Sequence, residues 1–109
     1  MGVEQLQVEV GRVADRLRAM SQERLTRGFP PYDSRAAAAL EVAQRLADAA
    51  ADVTGGSAER RTVPDLGPLV VADQVAVTGT DLVQAASGLG DDPRVDACVA
   101  ALRHLRLTL

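Results

Sequence analysis

Apolar residues recur along the first part of the chain at alternating spacings of three and four: Val3, Leu6, Val10, Val13, Leu17 and Met20. That spacing holds one stripe of a helix against a partner, and Glu9, Arg12, Asp15, Arg16 and Arg18 fall outside it. A first helix over about residues 3 to 26 is predicted. Gly28 supplies a stop, and Pro30-Pro31 cannot continue the helix because each ring removes a backbone donor and restricts the residue before it.

Asp33 or Ser34 is placed to cap a second helix that ends near Thr54, before Gly55-Gly56. Leu40, Ala43, Leu46, Ala47, Ala50 and Val53 line its predicted inner face; Glu41, Arg45, Asp48 and Asp52 gather opposite. The following stretch, GGSAERRTVPDLG, has no clear period and contains the strongest loop chemistry in the chain. Helices in a bundle are usually joined by roughly 2 to 8 residues, so this longer connection is expected to cross an end of the bundle. It is also the expected site of disorder or partner binding.

"LVVADQVAVTGTDLVQ", Leu69 to Gln84, fits two templates. As a strand feeding a glycine turn it would resemble a phosphate site, but Asp73 then interrupts the apolar side and neither alternation is clean. As a helix, Ala72, Gly79 and Ala86 repeat every seven residues beside Val75, Leu82 and Leu89. The helix is the better fit. It places Gly79 in a helix interior, which costs about 1 kcal/mol relative to alanine, so close packing against a neighbour must compensate. Gly88 and Gly90 form the last break, Asp91 or Asp92 caps, and Pro93 suits a first turn. Val95, Cys98, Val99, Leu102, Leu105 and Leu109 make the final buried face. The predicted fold is one all-α domain over residues 1–109, a small, mostly antiparallel four-helix bundle with a long loop between helices two and three.

Composition sharpens this picture. Only Phe29 and Tyr32 are aromatic, so the core must be built from alanine, valine and leucine. A chain of 109 residues can still bury roughly two thirds of its unfolded surface without metal or disulfide staples. Lys, Ile, Asn and Trp are absent, a usage expected of GC-rich codons such as those of a high-GC bacterium. The formal net charge of −3 disfavours nucleic acid, whose binding draws on clustered cations. Carboxylates interrupt every apolar run, so no membrane span is expected, and a cytoplasmic location is the expectation.

The candidate chemistry is sparse. A phosphate loop needs a lysine that the chain lacks, and Thr78-Gly79-Thr80 is too short to specify a nucleotide. Cys98 and His104 are the only thiol and imidazole, but six residues apart on one helix they point about 120 degrees apart. Cys98 reads as an inert core thiol and His104 as a residue of the polar face. Asp48 and Asp52 lack the inward Glu and Glu-x-x-His pattern of a carboxylate-bridged metal bundle and read as a solvated face. No cofactor, metal or catalytic group is expected. Phe29 and Tyr32 either plug the end of the core or project as a recognition knob; Arg60 and Arg61 are candidates for gripping an acidic partner. Leu107 and Leu109 cannot both lie on one buried face. These six residues are the candidate interaction sites, and the expected role is non-catalytic self-association, as a homodimer, or association with another helical protein. The alternative is a small-molecule pocket between helices near Gly79.

Overall fold

A computed structural model describes residues 2–55 and 62–109. Its elements are α1 (Val3–Arg18), α2 (Gln22–Thr26), α3 (Arg35–Val53), α4 (Val71–Ala86) and α5 (Pro93–Thr108). The four long helices form the expected all-α bundle, and Leu69 to Gln84 holds no strand.

The first predicted helix is two. α1 stops at Ala19, and Ser21 takes an extended conformation in which its hydroxyl accepts from the Arg24 backbone N–H at 3.2 Å, capping α2. In an uninterrupted helix Leu25 would lie about 80 degrees round from Leu17. The break turns Leu25 into the core, where it is buried. Ser34 and Asp92 supply the caps of α3 and α5, accepting from Ala37 and Arg94 N–H.

α1 packs against α4 and α5, and α3 packs against the same two helices, so α1 and α3 stand at opposite corners. Cross-helix contacts give the directions. Arg18 at the end of α1 pairs with Asp73 at the start of α4, and Arg94 at the start of α5 donates to the carbonyl of Asp52 at the end of α3. Those two pairs are antiparallel. The segment Thr62–Val70 runs back along α3: the Val63 N–H donates to Gln44 Oε1 at 2.7 Å, and Gln74 Nε2 donates to the Pro64 carbonyl at 2.7 Å. The chain therefore returns to the level where α3 began before entering α4, and α3 and α4 run parallel. The long connection travels the side of the bundle where an end crossing was expected. Residues 56–61, including that part of the expected disordered or partner-binding loop, lie outside the described residues.

The core is a single cluster of small apolar side chains drawn from all five helices. On α3 it is centred on Ala38, Ala39, Val42, Ala43, Leu46 and Ala49. That is rotated from the predicted face, because α3 has neighbours on two sides; Leu40, Ala47 and Ala50 sit at the edge toward α4 and are only half-buried. On α4 the expected Ala72, Gly79, Ala86, Val75 and Leu82 are buried. Leu89 is not: the chain has left the helix at Ser87, and Leu89 is exposed between the positive-φ glycines Gly88 and Gly90.

Candidate functional site

Gly79 is a packing residue. A Cβ built on it would meet both Val10 methyls, at 2.5 and 2.6 Å, so the volume a side chain would take is already filled by α1. No ligand space opens at this glycine. Its neighbour Thr78 turns the other way and donates to the Gln74 carbonyl at 2.7 Å.

Thr78 instead borders an open groove of about 540 Å³ between α3, α4 and the returning segment. Ala47, Ala50 and Ala51 form one wall, Val70 and Val77 the other, and Val63, Pro64 and Leu66 the floor and rim. The small alanines of α3 keep this wall low, which is why large apolar side chains opposite remain uncovered. Leu66 and Val77 are each 60% exposed. A second groove of about 530 Å³ continues along the same seam, sharing Val63 and Gln74 with the first. Among the described residues, the charged side chains lining the two are Asp33, Glu41 and Asp65 in one, Asp73 and Asp81 in the other. Every one of them is acidic.

The α1–α5 seam has the opposite character. Glu9, expected on the polar face, is fully buried there. Arg106 Nε donates to it at 3.0 Å, Arg12 Nη1 lies 3.3 Å away and Arg103 Nε 3.7 Å away. Burial pushes the Glu9 carboxyl up, but the Arg106 hydrogen bond and the charges of Arg106, Arg103 and Arg12 together hold it below the ordinary carboxylate value. One carboxylate thus gathers three guanidinium groups, an excess of positive charge. Heptad reading alone missed this site, because it places Glu9 at the edge of the stripe and says nothing of which helix faces that edge. The surplus of arginines at both Arg12 and Arg103-Arg106 was the available signal.

Phe29 is half-buried against the core with the Arg35 guanidinium 4.8 Å above its ring, so it plugs the bundle end. The Tyr32 N–H donates to the Phe29 carbonyl at 2.8 Å across the cis Pro30–Pro31 turn, and the tyrosine ring stays at the rim. Leu109 joins the core beneath Leu105, and its carbonyl accepts from Arg24 Nη2 at 2.9 Å; it is a packing residue, not an exposed contact. Leu107 is 72% exposed. Arg60 and Arg61 lie outside the described residues.

Cys98 is buried, its Sγ 3.9 Å from the Arg45 carbonyl, and burial pushes its thiol up to about 11, partly opposed by the charge of Arg45. His104 is exposed on another face. Asp48 is half-buried and accepts from Gln44 Nε2 at 3.0 Å, so the face expected to be solvated is partly covered. Among the described residues no group of His, Cys, Asp and Glu could hold a metal ion, and no helix is long and apolar enough to cross a membrane. No family model, curated protein or solved structure matches the chain.

Proposed function

We propose that the protein is a non-catalytic association module, of cytoplasmic setting, that binds a helical protein surface through the groove between α3 and α4. The observation that carries this reading is the groove itself. Apolar side chains are held open there by helices on both sides, with Leu66 and Val77 most exposed, and acidic groups stand at its margin. An apolar trough between two helices with polar rims suits an amphipathic helix laid along it. Small alanines on one wall favour close approach. The rival reading, a small-molecule pocket at Gly79, draws no support from a space that Val10 already fills.

A photo-crosslinking amino acid at Val77, compared with one at exposed Ala100 on α5, tests the reading in cells. The expected result is one discrete protein adduct from position 77 that disappears when Leu66→Glu is added. Absence of any protein adduct at 77, or an adduct indifferent to Leu66→Glu, would remove it.

A further inference from the structure

The two seams described above lie on opposite sides of the bundle. α1 and α5 form one edge, α4 and α3 the other, and each pair is joined to the next through the α1–α4 and α5–α3 contacts. The α1–α5 edge presents more than charge. Val8 lies one helical turn from Arg12, and Leu107 one turn from Arg103, so each exposed apolar residue stands beside an arginine that reaches Glu9. Glu4 stands one turn on the other side of Val8 and Glu9 offsets one of the three arginines, so this edge carries apolar side chains with a surplus of cations. Among the described residues, the α3–α4 edge carries apolar side chains set among carboxylates; Asp73 is paired with Arg18 and Glu41 with Arg45, while Asp81 makes no ion pair.

Resting on the groove as the binding surface, we infer that its occupant is a second copy of this chain, which docks its α1–α5 arginine seam into the α3–α4 groove. Apolar groups meet apolar groups and opposite charges meet at the rim. Like edges repel: groove on groove brings carboxylates together, and seam on seam brings arginines together. The interface is therefore heterologous. Because its two halves lie on opposite sides of one molecule, each bound copy leaves a free groove at one end and a free seam at the other, and the assembly is open-ended instead of a closed dimer. A strip one helix pair wide along a helix about 24 Å long covers on the order of 500 Å² per partner, near the lower limit for specific association. Binding is accordingly weak, concentration-dependent and reduced by salt.

Sedimentation at low salt between roughly 10 µM and 1 mM, the range in which an interface of this size associates, reads the outcome. The parent protein should gain mass continuously past the dimer and return to monomer in about 1 M salt, where screening is nearly complete. Val77→Glu blocks the groove and Leu107→Glu blocks the seam, both at exposed positions; each variant alone should remain monomeric. Mixed one to one, they should form a dimer and nothing larger, since only the Leu107→Glu groove and the Val77→Glu seam are intact. Melting curves matching the parent confirm that both variants fold. A parent mass that levels at the dimer, with Leu107→Glu still dimeric, would show a symmetric groove contact and overturn the inference. So would a parent that stays monomeric throughout; a position-77 adduct with a different protein would then leave the groove reading standing, whereas no adduct would end both.

Discussion

Gly79 of α4 lies so close to Val10 of α1 that a methyl group added to the glycine would sit 2.5 Å from one valine methyl and 2.6 Å from the other. Two effects compete in Gly79→Ala. Alanine gains about 1 kcal/mol in helix propensity, while forcing a methyl into a filled contact costs about 1 to 3 kcal/mol. Val10 is buried and β-branched, and its Cβ itself would be only 3.2 Å away, so turning the side chain does not clear the space. The clash should win. Urea unfolding is expected to show Gly79→Ala destabilised by up to about 2 kcal/mol with an unchanged slope; equal or higher stability would mean that the helices part without penalty.

The same contact predicts a coupling. Val10→Ala alone should cost about 1 to 3 kcal/mol through lost burial and the space left behind. In that background Gly79→Ala should become neutral or stabilising, because its methyl enters vacated space and the propensity gain is no longer opposed. A double-mutant cycle with a coupling of at least about 1 kcal/mol is expected, and additive effects would show that the two side chains do not share the space.

The role of Gly79 was legible because a heptad repeat states which positions face inward, and a glycine in that series calls for a close neighbour. Which neighbour was not legible: Val10 is placed opposite only by the antiparallel pairing of α4 with α1, which shows in the Arg18–Asp73 contact and not in either helix's own period. The same gap hid the groove and the Glu9 cluster. Local period places Ala47, Ala50 and Val77 on their helices, but pairing α3 with α4 in parallel is what sets them across from one another. The break at Ser21 had a local signal, a capping hydroxyl three residues before Arg24, overridden by the continuing heptad through Met20.

Glu9 holds three arginines together, so removing it leaves mutually repelling cations. Breaking a deeply buried pair typically costs about 3 to 5 kcal/mol, but here the guanidinium groups reach solvent and can rehydrate. Glu9→Ala is therefore expected to lose about 1 to 2 kcal/mol, the lower part of what a pair between those limits gives. Added salt should recover part of the loss by screening the arginines. A loss insensitive to salt would assign the effect to packing of the Glu9 stem alone.

Asp92 couples the α5 cap to acid stability. Its oxygens accept from the Arg94 side chain at 2.7 and 3.0 Å and from the Arg94 backbone at 2.8 Å, which together lower its pKa from 3.8 to about 2. Since the folded value is the lower one, the unfolded chain takes up the proton first. The contribution is complete above the unfolded value and disappears as the pH falls through the folded one. Asp92→Asn keeps a capping oxygen but no titrating charge. Its stability should fall less steeply than the parent's between about pH 4 and pH 2, and parallel curves would place the acid sensitivity elsewhere.

Leu107 and Leu109 separate surface from core two residues apart. Leu107→Ala should alter stability by less than about 0.5 kcal/mol, as exposed substitutions do. Leu109→Ala should cost about 2 kcal/mol, toward the lower end for a buried leucine because neighbours at a last turn can settle inward. Equal effects in thermal unfolding would contradict the packing of the α5 end.

Cys98 offers a probe of how the bundle opens. Burial raises its thiol to about 11, so thiolate is scarce near neutral pH, and the helix α3 backbone covers what remains. From the thiolate fraction alone, alkylation at pH 8 should run roughly a hundredfold slower than that of an unstructured thiol, and slower still where access requires opening. When reclosing outpaces labelling, the rate follows the population of the open form, and each 1.4 kcal/mol of destabilisation raises it about tenfold. Gly79→Ala, which acts on the α1–α4 contact far from the thiol, should then accelerate labelling in proportion to its loss of stability. Acceleration would mean that Cys98 is reached only when the four long helices separate together. A rate unchanged by Gly79→Ala would instead identify a local opening of α5 from α3, independent of the seam that Val10 and Gly79 close.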